Sequence, residues 1–323
     1  MSAGEVYGVR VFGPVPSRRL GRSLGINNIL SRICSYSCVY CQVGRTLRME
    51  VERISFCEPE EIVKEVEEKV ERTREIGQAI DYLTFVADGE STLDLNLGRV
   101  IELIQPLGIK IAVITNCSLI PLGGVREDLA KADWISLKVD CTRKEVWRRM
   151  NRPKPTLRLD AILEAMLEFA RAFKGELVTE TMLIRGLNDE RDCLHEVADF
   201  LARLQPAKAY VSIPTRPPAE KWVEPPGEES INRAYQIFTE QLETVEYLIG
   251  YEGSEFTLTG NPTDDILGIT AVHPMRADAL EEFLLQAKAD WSIIEQLLKQ
   301  GRLIELNYQK KRFYMRRLPS RRG

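Results

Sequence analysis

What this chain can fold into is narrowed most by a rhythm that begins near residue 79. Short apolar runs alternate there with stretches that carry apolar residues at three- and four-residue steps. The runs at 79–87, 110–116, 134–140, 176–184 and 207–213 read as strands, and an earlier one at 25–30 sits directly before a cysteine-rich segment. Between and around them, 59–76, 159–173 and 189–204 read as amphipathic helices. Repeated strand–helix units build a mainly parallel sheet, because a parallel partner needs a long crossover. The six strands predict an α/β fold of the partial (β/α)6 barrel type.

The remainder breaks this rhythm. Prolines in 215–230 exclude a regular ladder or helix interior, so that segment is a loop, followed by a helix over about 230–244. Beyond it, 276–287 and 291–299 read as two short helices, and 302–309 with 311–318 as a hairpin turning around Gln309, Lys310 and Lys311. Helix, helix and two strands is the outline of a winged helix. With 323 residues, 44% of them hydrophobic, the chain can bury one large core and a small second one. Two units are therefore expected, a barrel with an N-terminal extension over 1–245 and a winged-helix-like unit over 246–323.

A net charge of -4 argues against a protein that coats nucleic acid over its whole surface. Positive charge is concentrated instead at Arg18, Arg19 and Arg22, and again at Lys299, Arg302, Lys310, Lys311, Arg312, Arg316, Arg317, Arg321 and Arg322. The first group suits a phosphate-bearing ligand or ion pairing to barrel carboxylates. The second suits a local contact with RNA such as tRNA, or with a protein. No run approaches the 18 to 20 apolar residues that span a bilayer, and the opening residues lack a signal-peptide core, so a cytoplasmic location without membrane contact is expected. Seven cysteines, an odd number with three tightly grouped, suit a reducing compartment and a metal.

Those three are Cys34, Cys38 and Cys41 in ICSYSCVYCQVG, separated by three and then two residues in a loop after a strand. Thiolates so spaced can converge on one metal centre. Structural zinc needs a fourth ligand, and both histidines, His195 and His273, are distant in sequence, so zinc would recruit a remote cysteine. A [4Fe–4S] cube on three cysteines instead leaves one iron open to bind something else.

With the aromatic Tyr40 just before the third cysteine, the segment resembles the CxxxCxΦC motif of the radical S-adenosylmethionine (SAM) superfamily. The stretches VFGPVPSRRLGRSLGINNI, CVYCQVGRT, GLND and ILGITAVHPMR are similar to a group of archaeal and bacterial Fe–S oxidoreductases, grouped with wybutosine-type tRNA-modifying enzymes related to 4-demethylwyosine synthase. The second-cluster cysteines of that synthase have no counterpart, since no cysteine precedes Cys34. The resemblance implies a [4Fe–4S] cluster on Cys34, Cys38 and Cys41, SAM chelated at the open iron, and a low-potential ferredoxin or flavodoxin as reductant. Tyr40 is implied at the adenine side.

In parallel barrels ligands sit at the C-terminal ends of strands. The resemblance then implies SAM-binding roles for Gly89 and Glu90 after the second strand, Thr115 and Asn116 after the third, Ser136 on the fourth, where Lys138 and Asp140 also alternate inward, and Arg185 after the fifth. Cys117 and Cys141 also follow strand ends, but buried thiols are usually inert packing. No residue declares itself as a catalytic acid, base or nucleophile. Two functions remain in competition: a radical SAM enzyme modifying an RNA base or another substrate, and a non-catalytic iron–sulfur or zinc winged-helix protein that binds nucleic acid as a redox sensor.

Overall fold

The computed structural model describes residues 10–29, 32–250, 256, 261–272 and 274–317; His273, Arg321 and Arg322 lie outside them. β1 (Val11–Ser17) and β2 (Gly21–Ile26) form a hairpin, and the short β3 (Ile33–Cys34) and β4 (Arg48–Met49) bracket the cysteine loop. Crossovers then run through α1 (Pro59–Glu75) to β5 (Tyr82–Phe85), α2 (Leu97–Ile104) to β6 (Lys110–Thr115), and α3 (Gly123–Leu129) to β7 (Trp134–Lys138). α4 (Lys144–Met150) and α5 (Leu159–Ala172) lead to β8 (Glu176–Met182), α6 (Arg191–Leu204) to β9 (Lys208–Ser212), and α7 (Glu228–Thr239) to β10 (Val245–Leu248).

The large sheet is ordered β1-β2-β5-β6-β7-β8-β9-β10 and curls into a half-barrel, parallel from β2 onward. Only β1 is antiparallel, folded back on β2. The helices read at 59–76, 159–173 and 189–204 form as α1, α5 and α6, whereas the shorter α2, α3 and α4 were not read. α1 starts with Pro59 and the acidic Glu60 and Glu61 in its first turn, favourable at the positive end of the helix dipole, and buries Ile62, Val66 and Val70 at four-residue steps.

Two strands of the large sheet escaped the sequence reading, as did the two-residue β3, β4 and a further two-residue strand at Met275–Arg276. β1 is interrupted by Gly13 and Pro14, tolerable because it is an edge strand, and β10 has four residues. The strand expected at 25–30 lies earlier, at Gly21–Ile26, because β2 is set in register by Ser23 beside Tyr82 and Ile26 beside Phe85. The expected division between residues 245 and 246 falls inside β10 and so cuts the sheet.

Side chains alternate across the sheet. Ile111, Val113, Ile135 and Leu137 point to the helices and join the main core. Ala112, Trp134, Val178 and Tyr210 point inward, where with Leu20 and Leu248 they close the N-terminal end of the barrel. The polar side chains that follow on the same inward face lie above this plug.

The C-terminal unit contains α8 (Pro262–Val272), β11 (Met275–Arg276), α9 (Ala277–Gln286), α10 (Ser292–Lys299), β12 (Leu303–Tyr308) and β13 (Lys311–Arg316). Its sheet order, β11-β13-β12, is that of a winged helix. Gln309 and Lys310 both take positive φ (48° and 59°), which closes a two-residue hairpin with the twist its strands need. This unit shares its core with the N-terminal hairpin: Phe12 and Val15 of β1 pack with Ile266, Phe283 and Tyr314. Gly25 permits this, since a Cβ there would sit 2.1 Å from Cζ of Phe12.

Candidate active site

The cysteine loop is pinned at several points to α4 and to the loop that follows β9. Ser37 N donates to Asn151 O at 3.1 Å, Val39 N to Met150 O at 2.9 Å, and Glu220 N to Val39 O at 3.0 Å. Tyr36 packs edge-on against Trp147, ring centroids 5.8 Å apart. So anchored, the loop brings Cys34, Cys38 and Cys41 to one wall of a cavity of about 300 Å³. Tyr40, Gly89, Glu90, Thr115 and Asn116 line the same cavity. The sequence-derived residues from three separate loops therefore converge.

Gly89 is where the turn after β5 meets the cluster loop. A Cβ on it would lie 1.8 Å from the carbonyl oxygen of Ile33, the residue before Cys34. Its neighbour Glu90 is fully engaged: Oε1 accepts from Thr115 Oγ1 (2.6 Å) and Thr92 Oγ1 (2.7 Å), and Oε2 from Asn116 N (2.7 Å). Burial raises the Glu90 carboxyl above its ordinary pKa, and these hydrogen bonds oppose that rise. The carboxylate thus ties the Gly89 turn to the end of β6.

Two expected residues do not reach the cavity. Ser136 is buried on the inward face of β7, but its register beside Val178 sets it one layer below Lys138, which pairs with Glu180 and occupies the wall instead. Arg185 turns outward and ion-pairs with Glu224 at 2.6 Å, its side chain 57% exposed. The loop is committed to that course by Asn188, whose amide donates to Asp140 O and Met182 O, both at 2.8 Å.

The sequence reading overlooked Glu180, the electrostatic centre of the cavity floor. It receives Lys138 Nζ at 2.7 Å, Ser212 Oγ at 2.9 Å, and a short contact from Arg19. Burial opposes the Glu180 charge, yet Lys138 and Arg19 hold its carboxyl well below the usual range. Arg19 thereby takes the ion-pairing role. A charged residue between Thr179 and Thr181, within a run that is otherwise uncharged from Leu177 to Met182, was the available signal. Asp140 accepts a short hydrogen bond from Tyr40 Oη, one at 2.7 Å from Asn151 Nδ2, and one at 2.9 Å from Met182 N. Lys138 Nζ also lies over the Tyr40 ring, 5.3 Å from its centroid.

The donor set discriminates between zinc and a cluster. Among the described residues no three His, Cys, Asp or Glu side chains are grouped as a single metal ion requires. Cys57, Cys117, Cys141 and Cys193 are off the cavity wall, so no fourth thiol is at hand. Hydrogen-bond donors do reach the three sulfurs: Asn116 Nδ2 to Cys34 Sγ at 3.4 Å, Asn151 Nδ2 to Cys38 Sγ at 3.6 Å, and the backbone N–H groups of Val43 and Gly44 to Cys41. Burial pushes the Cys38 thiol up to about 12, with the neighbouring Cys41 and Asp140 adding to it. Binding a metal centre there releases such protons, which makes loading depend on pH. Three thiols with stabilising donors and no fourth thiol fit a cluster with one open iron.

A family model, that of the radical SAM superfamily, matches residues 28–201, more than half of the chain. The chain belongs to the radical SAM superfamily. Radical SAM enzymes use a [4Fe–4S] cluster and SAM, and Cys34, Cys38 and Cys41 are the thiols here with the right chemistry for the cluster. The UPF0026 protein MJ1312 of Methanocaldococcus jannaschii is 46% identical over 312 residues, covering 96% of this chain and 97% of that one. Among solved structures, a radical SAM methyltransferase from Sphaerobacter thermophilus superposes with a TM-score of 0.54 at 18% identity, over 70% of this chain and 66% of that one. A structure of TYW1 with a lysine–pyruvate adduct bound gives 0.50 at 18% identity, over 68% and 74%. At such identities these two likenesses establish the radical SAM fold alone. No helix among the described residues is long and apolar enough to cross a membrane.

Proposed function

We propose that Cys34, Cys38 and Cys41 hold the cluster in this cavity and that the chain cleaves SAM reductively, generating a 5′-deoxyadenosyl radical that modifies a substrate entering from the strand C-termini. The observation that carries the reading is the meeting of the three thiols with Gly89, Glu90, Thr115 and Asn116 around one cavity. Bound there, the cluster supplies the electron that breaks a carbon–sulfur bond of SAM. The chain's own part is positional. The backbone carbonyls of the Gly89 turn are suited to accept from the SAM ammonium group, and Glu90 fixes that turn. Thr115 and Asn116, at and just past the end of β6, would face the ligand, while Tyr40, held by Asp140, would form the adenine side. Arg185 and Ser136 drop out of the ligand set because neither faces the cavity.

A nucleic-acid substrate is supported by charge at the mouth. Arg18 and Arg216 line the cavity, and Tyr308 Oη of the wing donates to Pro214 O at 2.9 Å, beside that same rim. The wing tip with Lys310 and Lys311 is exposed, as phosphate contact requires. The test is anaerobic: reconstitute with iron and sulfide, reduce with dithionite, add SAM and measure 5′-deoxyadenosine, with the Cys34→Ala, Cys38→Ala, Cys41→Ala variant as control. Deoxyadenosine from wild type alone supports the reading. A loaded cluster with no affinity for SAM refutes it and returns the chain to a binding role.

A further inference from the structure

The surface directly behind the cysteine loop carries a feature that the site chemistry does not use. Arg148, Arg149 and Arg152 line one open groove with Leu187 and Trp222, and the Trp222 ring is 53% exposed. Among the described residues no carboxylate pairs with Arg148 or Arg149, both of which are exposed. Glu220 is shared between Arg152 (2.5 Å) and Arg45 (2.8 Å), so the groove stays net positive, and the exposed Lys221 adds to it. A large exposed indole beside guanidinium groups is what an interface centre looks like, since Trp and Arg are enriched among binding hot spots.

The position of the groove indicates its partner. Its floor is the layer that holds the cluster loop: buried Val39, next to Cys38, packs with Met150, Leu187 and Val223. Val39 N is bonded to Met150 O, and Ser37 N reaches Arg152 O at 3.2 Å. None of the groove residues lines the cavity that holds the thiols. An electron entering here would have one residue layer to cross and would avoid the space that SAM and substrate need.

We infer that this groove docks an acidic one-electron carrier protein of the flavodoxin or ferredoxin class, which reduces the cluster from behind. The inference rests on the radical SAM reading above. In the step, the carrier is oxidised by one electron and the cluster is reduced by one, with no bond made or broken. Redox encounters of this kind are small and transient and depend on complementary charge, which raises the association rate and makes it sensitive to salt. Single-stranded RNA could also use arginines and a stacking tryptophan, but a groove that shares no residue with the cavity offers no route for its bases to the radical.

The test uses the full-length, reconstituted protein. Reduction of the cluster is followed anaerobically, first with reduced flavodoxin and then with dithionite, in wild type, in Arg148→Glu with Arg149→Glu, in the milder Arg148→Gln with Arg149→Gln, and in Trp222→Ala. The expected result is at least a tenfold loss of flavodoxin-driven rate for the Glu pair, a smaller loss for the Gln pair, and a flattened salt dependence. Dithionite-driven reduction and deoxyadenosine yield should stay at wild-type level. An unchanged flavodoxin rate overturns the inference, as does equal slowing with both reductants or a loss of RNA binding with donor-driven reduction intact. Absence of deoxyadenosine with dithionite in wild type counts against the enzymatic reading and not against the docking groove.

Discussion

Replacing Gly89 by alanine tests whether the turn after β5 and the cluster loop are in contact as described. The added methyl would lie 1.8 Å from Ile33 O and 2.8 Å from Ile33 C, against the 3.4 Å at which ordinary contact begins. Because the obstructing atoms are backbone, no side-chain rotation relieves the overlap, and β3 must retreat by about 1.5 Å. The same movement breaks the Glu90 N to Ile33 O bond of 3.3 Å and carries Cys34 away from Asn116 Nδ2, already at 3.4 Å. Overpacking of this kind costs about 1–3 kcal/mol, which lowers the melting temperature of a chain this size by roughly 1–5 °C. Cluster loading should suffer more than stability, since one of three ligands is displaced. Iron content after anaerobic reconstitution and thermal melting of the apoprotein are the assays. Gly123→Ala, where an added Cβ meets nothing within 4 Å, is the control. A Gly89→Ala protein that loads iron and melts like wild type would refute the contact.

Other predictions follow from the buried charges and the wing. Glu180→Ala removes the carboxylate that Lys138 and Arg19 share, their side chains being only 16% and 15% exposed, leaving Lys138 with Asp140 at 3.7 Å, and should destabilise the apoprotein by about 3–5 kcal/mol in denaturant titrations; a loss below about 1 kcal/mol would mean the network is solvated. Burial raises the Asp94 carboxyl from its ordinary 3.8 to about 6. The folded chain therefore keeps a proton that the unfolded chain releases, and this contribution to stability is complete below about pH 4 and lost as pH rises to 6, on the order of 3 kcal/mol in all. Subtracting the stability profile of Asp94→Asn from that of wild type should reveal this slope, and a flat difference would exclude it. Tyr308→Phe removes the wing's bond to Pro214, about 1 kcal/mol; amide exchange should quicken across 303–316 and not in the barrel strands.

The cysteine loop, the parallel rhythm and the residues at the ends of β5 and β6 were legible in the sequence because each is a local pattern: a spacing, a period, a turn after an apolar run. Cys34, Cys38, Cys41, Tyr40, Gly89, Glu90, Thr115 and Asn116 all reach one cavity as that pattern implied. Ser136 and Arg185 do not. On β7 and β8 the residues that line the cavity are Lys138 and Glu180, two positions beyond Ser136 and Val178. Loop course decided the placement of Arg185, through hydrogen bonds from Asn188.

Other features had no local trace at all. Asn151 meets Cys38 across 113 positions and Arg19 meets Glu180 across 161, pairings that exist only once α4 and the N-terminal hairpin have docked. The winged helix was readable from its own periodicities, whereas its core shared with Phe12 and Val15 was not. Sequence by itself determines which backbone forms and which face of it is apolar, because those depend on neighbours along the chain. Which polar side chains meet above the barrel plug is decided by register and loop docking, which depend on packing between segments that the chain order keeps far apart.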